Sequence, residues 1–176
     1  MRKQNAEAGL GDYITRYDRM PIPPSAAQTV YFEAGAVCFG VEYRILTDAV
    51  VAEIRKTLKA ASGDAQGQLE NLDDAGVSLH VFAAPGRADQ ECLRFDCFSE
   101  DPHYHYINWD SSSNEMIHID PHADGDPLAW ALERIRTRLP QMLRRCGEPD
   151  LAAKVDLGII EEVLPRVAEA AYRARY

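Results

Sequence analysis

A run of alternating apolar and polar residues near the middle of the chain constrains its fold more than any other feature. The segments Glu91–Phe98, His103–Trp109 and Glu115–Ile119 follow the two-residue period of half-buried β-strands. Two stretches of turn-forming composition, Ser99–Pro102 and Asp110–Asn114, join them. The sequence therefore predicts three antiparallel strands that form a β-meander.

Strands and helices are predicted on both sides of the meander. The helical segments place their apolar side chains on one stripe, as expected for helices that cover one face of a sheet. This order predicts an α+β fold, in which an antiparallel sheet of about five to six strands carries about three helices on one face. Strands at 29–33, 37–46 and 77–84, a loop at 63–76, and helices at 48–61, 126–147 and 156–173 complete the prediction.

Length, charge and cysteine usage limit the class of protein. We divide the 176 residues into an N-terminal arm at 1–27, where prolines resist regular structure, and a single α+β domain at 28–176. No apolar run approaches the roughly 20 residues of a membrane helix, and no export signal is evident. The net charge of −9 argues against non-specific nucleic-acid binding. Four cysteines without a CxxC spacing indicate free thiols, so we expect a cytoplasmic protein.

Acidic residues and histidines are concentrated in and after the meander. Eight Asp or Glu residues and four of the five histidines lie between residues 95 and 126, with no Lys or Arg among them. If Ser99–Pro102 form a four-residue turn, Phe98 pairs with His103 and Asp96 pairs with His105. Because alternate residues of a strand share a face, Asp96, His103 and His105 would then lie together. The opposite face would carry apolar and aromatic side chains and form the core.

These three side chains are the candidate catalytic and metal-binding residues. Two imidazoles and one carboxylate suit a divalent transition metal such as zinc or manganese. Without a metal, the same groups could act as a general base with an orienting carboxylate. A third interpretation is that Asp96, His103 and His105 are hydrogen-bonded sheet residues without a ligand. The chain has neither an HExxH motif nor a nucleophile elbow, so no longer motif decides among these interpretations.

The remaining histidines depend on details that the sequence leaves open. His118, Asp120 and His122 form an alternating set. If Trp109 pairs with Glu115, this set lies on the face opposite His103, and a one-residue slip would bring the two sets together. His80 lies among apolar residues of a predicted strand, and we expect the backbone to satisfy its hydrogen bonds.

The helix predicted at 126–147 has a clear start and an internal interruption. Asp126 is suited to cap it, and Pro127 would occupy its first position. Pro140 is expected to kink the helix or to restart it after Leu139. Gly147 marks its end.

One side of this helix is a candidate interface. Trp130 lies nearly opposite the apolar stripe, and Arg134 and Arg138 follow on the same side one and two turns later. An exposed Trp/Arg face has the composition of an interaction hot spot. Alternatively, Trp130 packs beneath a neighbouring loop and the arginines pair with local acids. A basic helix and an acidic meander in one chain would suit a homodimer.

Two motifs resemble those of a known family. The run FDCFSEDPHYHYINW and the later run GDPLAWALERIRTRLPQML together resemble a bacterial family of small cytoplasmic proteins of unknown function, over residues 90–145. This resemblance implies that Asp101–Tyr106 and the following helix form one unit, and it implies no activity. We therefore expect an interaction module that self-associates or binds a protein partner. The alternative is a metal-dependent or acid–base hydrolase that uses the Asp/His cluster.

Overall fold

The computed structural model describes residues 14–17, 20–50, 52 and 73–176. Its centre is a seven-stranded sheet in which every neighbouring pair is antiparallel, with the order β1-β7-β6-β5-β4-β3-β2. The predicted α+β class is confirmed, with one or two more strands than expected. The strands are β1 (Thr15–Tyr17), β2 (Val30–Ala34), β3 (Val37–Thr47), β4 (Asp73–Ala83), β5 (Glu91–Phe98), β6 (His103–Asn108) and β7 (Ser113–His118).

Helices cover one face of this sheet. The two long helices contact different strands, since α2 lies against β5 and α4 lies against β2, β3 and β4. Their apolar stripes and the facing side chains of the sheet form one buried core. No helix within the described ranges is long and apolar enough to cross a lipid bilayer. The helices are α1 (Pro121–Asp124), α2 (Pro127–Arg145), α3 (Pro149–Lys154) and α4 (Leu157–Arg175), with a 3₁₀ turn at Ala88–Gln90.

The start of α2 follows the prediction, and the restart that was one of two expectations at Pro140 does not occur. The Asp126 side chain accepts a hydrogen bond from the Ala129 N–H, and Pro127 occupies the first helical position. The helix continues through Pro140 instead of restarting after Leu139. Leu139 is fully buried against the core, so tertiary packing outweighs the backbone hydrogen bond that proline removes.

Several segments differ from the sequence prediction. Residues 73–76 were expected to be a loop but begin β4, where Asp73 pairs with Thr47. Within the expected N-terminal arm, Thr15–Tyr17 forms an edge strand beside β7. Residues 48–50 and 52 are helical, and the rest of the helix predicted at 48–61 lies outside the described residues. The short helices α1 and α3 were not predicted, because a helix of four to six residues shows no amphipathic period.

The second face of the sheet is polar but largely buried. It carries charged or imidazole side chains from β3, β4, β5 and β6, and most of these are less than a tenth exposed. Part of the expected arm covers the β3 end of this face. The Ser25 N–H contacts both carboxylate oxygens of Glu42 at 3.3 Å, and the Arg44 guanidinium donates to the Ile22 carbonyl at 3.4 Å. Charged groups in such a place need partners, and these partners define the candidate site.

Gly147 illustrates how closely α2 approaches β6. Gly147 has φ +94° and ends α2, with its N–H bonded to the Arg144 carbonyl at 3.1 Å. The Asn108 side chain donates to the Cys146 carbonyl at 2.8 Å and fills the space that a Cβ at Gly147 would need.

We therefore expect Gly147→Ala to lower the free energy of unfolding by about 2–4 kcal/mol, because backbone strain and a displaced hydrogen bond add together. Urea titration followed by circular dichroism measures this change. Gly125→Ala is the matched control, because Gly125 has φ +79° but nothing within 4 Å of the position of its Cβ. Equal losses in the two variants would contradict the steric argument.

Candidate metal centre

The strand register brings Asp96, His103 and His105 onto one face, as predicted, but with different partners. Asp96 pairs with His103 and Arg94 pairs with His105. The predicted register, with Asp96 opposite His105, was wrong by two residues. A shift of two residues preserves the face of every side chain, so the predicted grouping survived the error.

The reason for this register lies in Asp74 at the start of β4. Its carboxylate accepts hydrogen bonds from the backbone N–H groups of Ser99, Glu100 and Asp101, at 2.9–3.1 Å. These bonds draw the connection between β5 and β6 toward β4 and make it wider than a four-residue turn. Asp74 thereby fixes the backbone of Asp101, which contacts two histidines of the site.

The three candidate ligand atoms converge. The Asp96 Oδ2 atom lies 3.3 Å from His103 Nε2 and 3.5 Å from His105 Nε2. Ligand atoms of the three residues all lie within 4.8 Å of one another. Asp96 and His105 are 2% and 7% exposed, whereas His103 is half-buried and forms the side of the cluster nearest to solvent.

A second set of contacts holds each of these side chains. His103 Nδ1 lies 2.7 Å from the Asp101 backbone carbonyl, and His105 Nδ1 lies 2.8 Å from the Asn114 amide oxygen. Because these oxygens accept, each Nδ1 carries a proton. Each Nε2 then donates to Asp96 when its ring is charged, and presents a lone pair toward the same point when its ring is neutral. The other oxygen of Asp96 accepts a hydrogen bond from the Ser78 hydroxyl.

The pKa values of the two imidazoles shift in opposite directions. Burial disfavours the ionised form of Asp96, but hydrogen bonds from His103 and His105 outweigh burial and hold its pKa well below the usual range. Burial also disfavours a charged His103, yet the hydrogen bond to Asp96 prevails and raises its pKa. For the more deeply buried His105, burial prevails and lowers the pKa. The cluster therefore combines an ionised carboxylate with an imidazole that favours its neutral form.

A buried ion-pair network continues from this cluster across β5, β4 and β3. Arg94 forms a bidentate pair with Glu91, with N···O distances of 2.9 and 2.6 Å. The other contacts of Glu91 include His80 Nδ1 at 2.6 Å, and His80 Nε2 faces Glu42 at 3.4 Å. The prediction that the backbone satisfies His80 was therefore wrong, since carboxylates surround the ring.

The register of the second hairpin adds His118 to the same face. His103 pairs with His118 and Asn108 pairs with Ser113, so the pairing of Trp109 with Glu115, one of the alternatives that the sequence left open, does not occur. His118 Nδ1 lies 2.7 Å from Asp101 Oδ1, and its ring centroid is 6.4 Å from that of His103.

The other two members of the His118 set take no part in the cluster. Asp120 caps α1 by accepting a hydrogen bond from the His122 N–H at 2.9 Å. His122 itself lies exposed on α1. The alternating set of three residues is therefore divided between the sheet and a short helix.

The predicted Trp/Arg face of α2 is only partly exposed. Trp130 is half-buried, and its ring centroid lies 5.3 Å from that of Tyr104 and 6.3 Å from that of Phe95. The expected exposure was wrong because Tyr104 extends the apolar layer of the sheet beneath this side of the helix. Arg134 stacks over Trp130 at 5.0 Å and Arg138 is exposed, and neither has an acidic partner among the described residues.

Sequence reasoning missed the residues that support the cluster. Ser78, Asn114 and Asp74 carry no distinctive signal, because small polar residues are common in strands and turns. The ion-pair network did leave a signal, because charges of both signs occur among the apolar residues of two strands: Glu42 and Arg44 in β3, and Glu91, Arg94 and Asp96 in β5. Opposite charges recurring on the same face of separate predicted strands are the pattern that would have revealed it.

Comparison with known proteins identifies the family but no activity. No curated protein and no solved structure matches the chain. The sequence model of one family, described as a domain of unknown function (DUF7700), matches residues 31–171. This range includes every residue of the Asp96 cluster and of the buried ion-pair network, as well as α2. The chain therefore belongs to the DUF7700 family.

Proposed function

We propose that this protein is a metal-dependent hydrolase in which Asp96, His103 and His105 bind one divalent transition-metal ion. The observation that carries the proposal is the convergence of one carboxylate oxygen and two Nε2 atoms, all of which present lone pairs when both rings are neutral. In the neutral rings neither Nε2 atom has a proton to offer Asp96, because each Nδ1 proton is committed to an oxygen. A cation at the point of convergence would satisfy all three atoms, and histidine ligands are typically held in this way.

The spacing of the ligand atoms supports this proposal. A zinc ion about 2.0–2.1 Å from each ligand, with tetrahedral angles, separates neighbouring ligand atoms by roughly 3.3–3.4 Å. The distances from Asp96 Oδ2 to the two Nε2 atoms are 3.3 and 3.5 Å. Two of the three separations therefore match a tetrahedral ion, and the ligand atoms of all three residues lie within 4.8 Å of one another.

Three protein ligands leave a coordination position for water, as in catalytic rather than structural metal sites. A bound metal ion supplies a water molecule of lowered pKa, which can attack an ester or amide. His103 is half-buried, so this position would be reached from its side of the cluster. Asp101 contacts His103 through Nδ1, on the edge of the ring away from Asp96, so it would orient this ligand.

Elemental analysis of untagged protein, with and without a chelator wash, tests the proposal. We expect about one zinc or manganese ion per chain, lost on chelation and restored by adding the metal and desalting. If the protein retains less than 0.1 ion per chain after that reloading, the metal proposal is wrong. Acid–base chemistry by Asp96 and a protonated His103 would then be the remaining enzymatic interpretation.

A second candidate function is self-association or binding of a protein partner through Trp130, Arg134 and Arg138. The observation that favours it is two guanidinium groups beside a half-buried indole, neither paired with an acid of the described ranges, a composition that is enriched in protein interfaces. The four free cysteines fit the expected cytoplasmic location. If this second candidate is right, light scattering coupled to size exclusion shows a dimer that Arg134→Gln/Arg138→Gln dissociates. A monomer at high concentration contradicts self-association.

A further inference from the structure

We infer that a cleft between α2 and β6 binds the phosphate monoester group of a small molecule, because three guanidinium groups surround an aromatic-walled space there. This cleft lies on the helical side of the sheet, so it is separate from the Asp96 cluster on the opposite face. Its volume is about 350 Å³, within the range of small-molecule sites. The lining residues include Tyr104, Tyr106, Trp130, Arg134, Arg138 and Arg145.

The aromatic walls hold two of the guanidinium groups in place. The Arg134 guanidinium lies 5.0 Å from the centre of the Trp130 ring, and that of Arg145 lies 4.5 Å from the centre of the Tyr106 ring. Stacking of this kind fixes the plane of a guanidinium and leaves its N–H groups directed sideways, where they can donate to an oxyanion. Less side-chain entropy is then lost when a ligand binds.

The charge of the cleft points to a dianion. Arg145 is paired with Glu115 at 2.5 Å, whereas Arg134 and Arg138 have no acidic partner in the described part of the chain. Three guanidinium groups and one carboxylate therefore leave a net charge of +2. This concentration of positive charge occurs in a protein of net charge −9. A phosphate monoester carries −1.5 to −2 near pH 7 and matches the cleft more closely than a carboxylate does.

The two tyrosines and the shape of the cleft complete the argument. Tyr104 and Tyr106 are half-buried, with ring centroids 5.6 Å apart, and a phenol can donate to a phosphate oxygen. The cleft is open on one side, so the rest of the ligand would extend along α2 toward solvent. The aromatic rings would favour a ligand that also presents a flat apolar group.

Isothermal titration calorimetry tests the inference directly. Chelator-washed His103→Gln protein is the sample, so that phosphate bound to a metal ion on the other face cannot contribute. We expect saturable binding of adenosine monophosphate and of glycerol 3-phosphate, and none of adenosine or glycerol. Inorganic phosphate, titrated separately, distinguishes recognition of the phosphate alone from recognition of the whole ester, and either result supports the inference.

Variants of Arg134 and Arg138 locate the binding site. Arg138→Gln is expected to weaken binding at least tenfold, and Arg134→Gln/Arg138→Gln to abolish it. Arg144→Gln is the matched control, because Arg144 is exposed on the same helix and does not line the cleft; binding should stay within twofold.

The inference is overturned if no phosphate ester binds at millimolar concentration, or if Arg144→Gln weakens binding as much as Arg138→Gln. It is also overturned if Arg134→Gln/Arg138→Gln dissociates a dimer of the wild-type chain, because the cleft is then a protein interface.

Discussion

Glu91→Gln is expected to lower the free energy of unfolding at pH 7 by about 3–5 kcal/mol, because it leaves a buried arginine without its counter-charge. Arg94 is 2% exposed and Glu91 is 1% exposed, and the two are joined by hydrogen bonds of 2.9 and 2.6 Å. Glutamine keeps the size of the side chain but removes its charge and one acceptor. His80 loses a charged partner in the same step, which adds to the effect.

Urea titration followed by fluorescence measures this loss of stability. Two further variants test whether the unpaired charge causes it. Glu33→Gln is the matched control, because Glu33 lies exposed on β2 of the same sheet. The variant Glu91→Gln/Arg94→Met should recover part of the lost stability, since it removes the unpaired charge. A loss below 1 kcal/mol in Glu91→Gln, or a similar loss in Glu33→Gln, would show that the pair does not stabilise the fold.

The same pair predicts how stability depends on pH. Burial raises the pKa of Glu91, but the charge of Arg94 outweighs it and lowers the pKa to about 2. A carboxyl whose pKa is depressed by folding contributes stability above its unfolded pKa, near 4.5, and loses it as the pH falls through the folded value. Wild-type stability should therefore fall between about pH 4.5 and 2, and Glu91→Gln should lack this component.

His103→Gln is expected to reduce the metal content from about one ion per chain to less than 0.1. In the wild type, the Asp101 carbonyl holds the Nδ1 proton of His103, so that the neutral ring can present a lone pair at Nε2. Glutamine has no ring nitrogen to do this, so one of three ligands is lost. Two remaining protein ligands are too few for a tightly held transition metal. Because His103 is half-buried, the substitution should leave the fold intact, as circular dichroism can verify.

His122→Gln is the matched control for metal loss. His122 is exposed on α1 and belongs to the neighbouring histidine set, but it lies outside the Asp96 cluster. Its substitution should leave the metal content unchanged. If His103→Gln retains the ion, the ligand set is wrong, whereas equal loss in both variants would indicate adventitious binding to surface histidines.

The faces of the central strands could be predicted from the sequence because alternation is a local property. Each of the residues Asp96, His103 and His105 lies on its expected face, although the predicted pairing was two residues off. The turn composition of Ser99–Pro102 suggested a tight hairpin, but Asp74 widened it through bonds to three backbone N–H groups. Asp74 lies on another strand, and no local pattern announces such a contact.

Burial was the property that sequence reasoning judged least well. Arg94 and Glu42 alternate with apolar residues and would normally be read as the solvent-facing side of a strand. They are instead buried, since Glu91 of the same strand pairs with Arg94, and His80 of β4 and Ser25 of the arm contact Glu42. Trp130 is a second example of unexpected burial. It lies opposite the apolar stripe of α2, where exposure is expected, but it packs over Tyr104 of the sheet.

The sequence by itself determined the fold class, the meander, the capped start of α2 and the grouping of one carboxylate with two imidazoles. These depend on period-2 alternation and on the cap chemistry of Asp126 and Pro127, which neighbouring residues along the chain specify. Only the tertiary structure decided the register of both hairpins, the addition of His118 to the cluster and the burial of the Arg94–Glu91 pair. These depend on contacts that only the assembled sheet makes, such as those of Asp74 with Ser99 and of His80 with Glu91, whose energies no local pattern records.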